Sequence, residues 1–345
     1  MAAADRETLS QSAMARELAE SPAAVARLLA ESTLFDEIAA AITRAKPRIA
    51  IMCGRGSSGH VGVYLRYLFE ARLGMLVSAA APSIVTAYRK RPDMHGALFV
   101  VVSQSGHSPD LVVATETARA LGALTLAIVN DDRSPVADAA ELVLPILAGP
   151  ERAVAATKSV ISSMVAGARL VAAMEDGDDL SAALSRLPER LARALPCDWS
   201  AWGNSLAHAP ATYVAARGYG FGPAREIALK LAETLRMPAL GYSAAELRHG
   251  PRAAITPATP VLLLRQNDES ALTVDQLIVD LIHGGETVFS VGGLDGNLPW
   301  IGDDHSVCDP VAMLVPAYKE IERAARLRGF DPDNPPHLAK VTRTL

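Results

Sequence analysis

The feature that most constrains this chain is a series of short apolar segments, each followed by a helix-like stretch, that ends and then starts again. Arg48–Cys53, Leu76–Ala80, Ala97–Val102, Leu124–Val129 and Leu142–Leu144 read as strands. They lack the polar–apolar alternation of a half-exposed strand, so both faces of their sheet are expected to be covered. Helical stretches at 60–73 and 110–121 fall between them. This alternation predicts a parallel sheet in an α/β fold. A long Ala-rich helix over about 157–175 follows. The pattern then resumes, with strands at 211–216, 239–242, 260–264 and 287–291 and helices at 223–236 and 270–283. An Arg-Gly pair follows the first strand of each series, at 55–56 and 217–218, and Arg55 to Leu98 is the same interval as Arg217 to Pro260. Duplication of one α/β unit is the economical reading. It divides the chain into a helical segment over 1–45, a first unit over 46–180, a second over 195–330 and a tail over 331–345. A helix over about 311–328 leads into that Pro-rich tail. With 345 residues, 50% of them apolar and 21% charged, there is material for two packed units.

Charge and cysteine usage remove several classes of function. The net charge is -5, which lacks the broad basic footprint of a nucleic-acid binder. Cys53, Cys197 and Cys308 are isolated, so neither a disulfide framework nor a zinc cluster is expected. The histidines show no metal-ligand spacing. Asp5, Arg6 and Glu7 stand where a signal peptide needs a basic and then an apolar region. No apolar run is long enough to span a bilayer. The expected setting is the cytoplasm, with no membrane and no nucleic acid as partner.

Two loops carry the ligand signal. Gly54-Arg-Gly56-Ser-Ser-Gly59 follows a strand and opens a helix. A dinucleotide site there would need a carboxylate at the end of the second strand, and Val77–Pro82 has none. Ser57 and Ser58 at a helix amino terminus instead favour a single phosphate. Ser103-Gln-Ser-Gly-His-Ser108 repeats the arrangement after the third strand, with three hydroxyls and an amide beside free helix N–H groups. No triphosphate-binding loop with its lysine is present. Further on, Glu226, Lys230 and Glu233 share one face of a helix whose remaining circumference is largely apolar. Such a helix is expected to be buried, and buried charges are costly enough to suggest a function. Glu246-Leu-Arg-His249-Gly-Pro251 puts a histidine on a turn shortly afterwards.

Taken together these residues resemble the SIS (sugar isomerase) family, and in particular the isomerase half of glucosamine-6-phosphate synthase. The resemblance runs from about residue 14 to the end. It rests on Met14–Pro22, on Gly56-Ser-Ser58 with Arg66–Glu70, on Ser103-Gln-Ser-Gly106, on Ala148–Glu151 with Val154–Lys158, on Glu226–Glu233, on Glu246–Pro251 and on Leu338-Ala-Lys340. It implies two doubly wound, flavodoxin-like three-layer units. It implies that Ser58, Ser103, Gln104, Ser105 and Ser108 hold a phosphate, and that Val154, Ala156 and Ala339 line the sugar. Glu233 would move a proton between carbons 1 and 2, with Lys230 and Glu226 in support. His249 would open the pyranose ring, and Lys340 would approach the carbonyl carbon. A desolvated glutamate gains basicity and a desolvated lysine is nucleophilic, so the residue types suit these roles.

The departures set the expected reaction. No cysteine precedes Cys53 and there is no room for a glutaminase domain, so ammonia is not expected to come from glutamine. His107 stands where the family often has Glu, Pro109 is atypical, and the five residues after Lys340 differ from the synthase tail. The resemblance therefore implies an isomerase-like glucosamine-6-phosphate deaminase, working without metal or nicotinamide and yielding fructose 6-phosphate and ammonia. Galactosamine-6-phosphate deaminase, fructosamine-6-phosphate deglycase and a catalytically silent sugar-phosphate sensor are the alternatives. A homodimer is expected, with His249 reaching the neighbouring subunit's sugar. The nearly uncharged helix over 156–174 adds that either its own chain covers it or an apolar patch is left for a partner.

Overall fold

The computed structural model describes residues 11–293 and 296–340. Two parallel sheets organise them. The first contains β1 Ile49–Cys53, β2 Leu76–Ala79, β3 Ala97–Ser103, β4 Leu124–Val129 and β5 Leu142–Pro145, in the order β2-β1-β3-β4-β5. The second contains β6 Thr212–Ala216, β7 Ala239–Ser243, β8 Val261–Leu264 and β9 Val288–Val291, in the order β7-β6-β8-β9. The second order is the first without its last strand, as a duplicated unit requires. Register runs from Ile49 opposite Ala97 to Cys53 opposite Val101 on one side of β3, and to Ser103 opposite Val129 on the other. All seven residues of β3 are buried, because helices cover both faces of its sheet. In each sheet the direction of winding reverses beside the first strand. At such a point the loops that follow β1 and β3 meet at the carboxyl edge, the place where open α/β sheets bind ligands.

One apolar interior runs from Met14 to Ala325 and joins the two units. The Lys158–Met174 helix lies in its middle, packed by Gly56–Leu73, Ser21–Leu29, Ser32–Ala45, Asp179–Ala194 and Asp309–Leu327. A helix that is apolar all round belongs in such a position. Its own chain covers it, so it leaves no patch for a partner and gives no support to a dimer. The Gly56–Leu73 and Phe221–Leu235 helices cross at Gly222, where a Cβ would come within 2.8 Å of the His60 carbonyl and the Tyr64 backbone. Only glycine permits that approach, and it brings the first loop against the second unit.

The helical segment before β1 is built of three helices, Ala13–Ala19, Ser21–Leu29 and Ser32–Ala45. Pro22, in the first turn of the second, cannot continue the first. A further helix, Asp179–Ala194, escaped the sequence reading although its buried stripe of Leu180, Ala183, Leu184, Leu187 and Leu191 has helical spacing. Each of those leucines contributes on the order of 2 kcal/mol by burial. Pro188 sits inside the helix and obscured the pattern. Among the described residues no helix is long and apolar enough to cross a membrane.

Candidate active site

The two loops at the carboxyl edge are stitched together. Arg55, at the start of the Gly56–Leu73 helix, donates from Nε (2.9 Å) and Nη2 (2.8 Å) to Asp110 Oδ2. Asp110 lies in the first turn of Pro109–Ala120, where its other oxygen accepts from the Leu111 N–H at 3.0 Å. Its side chain is 1% exposed and that of Arg55 54%. Within the second loop, Ser103 Oγ accepts from the Gly106 N–H at 3.1 Å, and Ser105 Oγ from the His107 N–H at 3.3 Å. Gly106 has φ of +68°, and a Cβ there would fall 2.0 Å from Ser134 Oγ. The loop can turn this tightly only with glycine. Ser103 is buried, whereas Ser58, Gln104, Ser105 and Ser108 are half-buried. Their hydroxyls and amide border two helix amino termini, an arrangement suited to an anion.

The charged face of Phe221–Leu235 meets the first loop. Glu226 and Lys230 are 0% and 1% exposed, whereas Glu233 keeps 21% of its side chain accessible. Lys230 Nζ donates to Glu233 Oε2 at 2.6 Å and to Ser57 Oγ at 2.9 Å, and lies 3.4 Å from Glu226 Oε1. Glu226 accepts in addition from Tyr318 OH at 3.3 Å, and its Oε2 lies 3.0 Å from His60 Nδ1. Burial alone would push the Glu226 carboxyl up. The Lys230 ammonium and then His60 outweigh it and hold the group below the ordinary glutamate value. Burial likewise opposes the charge on Lys230, and Glu226 and Glu233 more than offset it. Lys230 is therefore an ammonium and acts as a fixed positive charge rather than as a nucleophile. Burial, then Glu226, raises the Tyr318 hydroxyl well above its usual range and keeps it a donor.

The tail closes the third side. Lys340 Nζ donates to the Ala153 carbonyl at 2.6 Å and lies 3.2 Å from Glu151 Oε2. Glu151 also accepts from the Thr157 and Ser159 N–H groups, at 3.0 and 3.1 Å, which fixes the segment carrying Val154 and Ala156. Glu17 accepts from the Arg152 and Ala153 N–H groups, and Asp333 caps the Ala13–Ala19 helix through the Ala13 and Met14 N–H groups. Both ends of the described chain thus converge on this segment. Val154 and Ala156 are half-buried, and Ala339 is exposed. The network brings Glu226, Lys230 and Glu233 together and ties Lys340 to the Val154 segment. It does not bring in His249, which is the exposed last residue of the Ala244–His249 helix rather than part of the turn that begins at Gly250, and whose side chain has no hydrogen-bond partner among the described residues.

Sequence reasoning missed His60, Tyr318, Glu151 and the Arg55–Asp110 pair. His60 stands three residues after Ser57 on the same helical turn, and that spacing was the available signal. Tyr318 and Asp110 had none, since their partners are far away in the chain.

Comparison with known proteins gives concordant results. The SIS domain family matches residues 41–173 and 205–288. The isomerizing glutamine–fructose-6-phosphate aminotransferase of Bradyrhizobium diazoefficiens is 31% identical over 356 residues, covering 95% of this chain and 58% of that protein. The corresponding protein of Methanothermobacter thermautotrophicus is 33% identical over 350 residues, covering 95% and 56%. The chain spans about half the length of the curated relatives it matches. Among solved structures, a candidate phosphosugar isomerase from Silicibacter pomeroyi is 37% identical with a TM-score of 0.89, covering 94% of this chain and all of the other. The glucosamine-6-phosphate deaminase of Thermotoga maritima shares the fold at 21% identity, with a TM-score of 0.78 over 96% of this chain and 100% of that one.

Proposed function

The chain belongs to the SIS domain family, and from that premise we propose that it is an amino sugar phosphate isomerase and deaminase, with glucosamine 6-phosphate as substrate. One observation carries the reading. Glu233 is a partly accessible carboxylate whose only described ion-pair partner is an ammonium sealed behind it, Lys230. That is a base on a charged support, joined through Lys230 to Ser57 in the first of the two hydroxyl-rich loops.

The phosphate lies on Ser58, Ser103, Gln104, Ser105 and Ser108. The sugar extends past Val154, Ala156 and Ala339. His249 of a second copy opens the ring, since on its own chain the residue is exposed and engages nothing in the ion chain. Glu233 takes the proton from carbon 2 of the open-chain amino aldehyde and returns it to carbon 1. Lys230 offsets the negative charge that develops on the way. The product of the shift is a ketimine. Water adds to it, and ammonia leaves with fructose 6-phosphate. Lys340, now held by Ala153 and Glu151, is released to the carbonyl side as the sugar enters. In this direction the reaction needs only the chain's own groups and water, whereas the reverse needs a supply of ammonia. A cytoplasmic homodimer accompanies this reading.

The test is ammonia release from a panel of glucosamine 6-phosphate, galactosamine 6-phosphate and fructosamine 6-phosphate, without added metal or nicotinamide. Release from the first supports the proposal. Release from one of the others alone overturns the substrate. Binding of every member with turnover of none makes the chain a sensor.

A further inference from the structure

The first turn of the Gly56–Leu73 helix faces two ways. One side carries Ser58, given above to the phosphate. On the other, Ser57 Oγ accepts from Lys230, and His60 Nδ1 lies 3.0 Å from Glu226 Oε2. We propose that His60 is a positioning residue: it aims Glu226, which holds Lys230, which in turn sets the carboxylate of Glu233.

The assignment follows from what each group can donate. An ionised Glu226 only accepts, so the ring nitrogen facing it carries the hydrogen. The carboxylate is 0% exposed, so in the native protein its donors come from the chain itself. Its described donors are His60, Lys230 and Tyr318, with the Ser57 hydroxyl also hydrogen-bonded to the carboxylate. Tyr318 binds the same oxygen that faces Lys230, and His60 Nδ1 faces the other, Oε2. Without the ring, Glu226 can rotate toward its remaining donors and draw the ammonium after it. The Lys230–Glu233 contact of 2.6 Å is the distance then at risk. A misplacement of about 1 Å at a reacting group can cost about a hundredfold in rate. The geometry also links binding to chemistry, because one helical turn presents Ser58 to the phosphate and His60 to the base's support.

His60 suits this role rather than a packing role. Its side chain is 14% exposed and borders a groove of about 480 Å³ lined by Gly54, Arg55, Arg66, Tyr67, Phe221 and Arg225, among others. A smaller residue at 60 therefore extends existing open space and leaves no sealed cavity in the core.

The experiment compares wild type with His60→Ala and His60→Asn. The kinetic part rests on the reaction proposed above, and the spectroscopic part does not. In turnover, His60→Ala should lower kcat about 100-fold with KM for the sugar phosphate unchanged. His60→Asn, whose amide can donate from nearly the place of Nδ1, should restore most of the loss. In ligand-free, nitrogen-15-labelled protein, the sealed Lys230 ammonium should give a slowly exchanging signal. That signal should be lost in His60→Ala and kept in His60→Asn, with thermal unfolding similar in all three. An unchanged kcat, a rise in KM alone, or a Lys230 signal that survives in His60→Ala each overturns the proposal. If wild type turns over no sugar phosphate, the proposed reaction falls, and the Lys230 signal still decides the role of His60.

Discussion

Arg55 holds Asp110 through two nitrogens on one carboxylate oxygen, at 2.9 and 2.8 Å, and so joins the loop after β1 to the helix that follows β3. The two elements are neighbours only because β1 and β3 pair in the sheet. Arg55→Ala should therefore loosen both halves of the proposed phosphate site at once. It leaves Asp110 buried with only the Leu111 N–H on its carboxylate. Because Arg55 is half open to water, the cost in stability should be modest, about 1–2 kcal/mol. Urea unfolding measures that cost. Calorimetric titration with a sugar phosphate should show roughly tenfold weaker binding, by analogy with the loss of one charge-assisted contact. Unchanged affinity would mean that the loops hold their places independently.

Loop serines and the carboxylate of Glu233 should fail in opposite ways. Ser103→Ala with Ser105→Ala removes neutral donors and the acceptors that shape the loop, so KM should rise about tenfold or more with kcat little altered. Glu233→Gln keeps the shape and cannot take a proton, so kcat should fall about 10²–10⁴-fold with binding retained. Steady-state kinetics and equilibrium binding on both variants separate the two patterns. A fully active Glu233→Gln would remove that residue from the reaction.

The buried pair should shape the acid stability of the fold. Glu226 is held below the usual glutamate value, so the native state gives up this proton more readily than the unfolded chain. The resulting stabilisation is complete above the unfolded value of about 4.3 and is lost as pH falls through the lower native one. Wild type should therefore lose stability on acidification over that window. Glu226→Gln, which has no such proton, should be less stable near neutrality and show a shallower acid limb. Urea midpoints between about pH 3 and pH 7 measure both slopes; parallel curves would mean that Glu226 does not govern this limb.

Complementation tests whether the site is shared between copies. Glu233→Gln and His249→Ala should each be nearly inactive alone. Co-expressed, they put both lesions in one site of the heterodimer and leave the other site intact. Random pairing should then recover about a quarter of wild-type activity. No recovery, with heterodimers verified by mass, would assign His249 to its own chain.

Much of the architecture could be read from local pattern. Unalternating apolar segments such as Leu124–Val129 are strands with the expected bounds, because a strand buried on both faces has to be apolar throughout. The Ser103–Ser108 loop and the charged face of Phe221–Leu235 were visible for a similar reason, since both depend on spacing within one element. Asp179–Ala194 was not visible, because Pro188 interrupts a stripe that only its packing partners complete.

The sequence by itself determined the class of fold, its repetition and the charged helix face, all properties of residues a few positions apart. Tertiary structure decided the rest. It decided that His60, Lys230 and Tyr318 converge on Glu226, that Arg55 reaches Asp110, and that Lys340 returns to Ala153. These pairs, Lys230–Glu226 apart, lie tens to hundreds of residues apart in the chain. No local periodicity encodes them, because they depend on strand order and on helices crossing at Gly222. Tertiary structure also settled the Lys158–Met174 helix, whose composition alone suited either a covered core or an exposed face. Burial of that helix by its own chain is a property of the whole interior, and it appears only when every neighbour is in place.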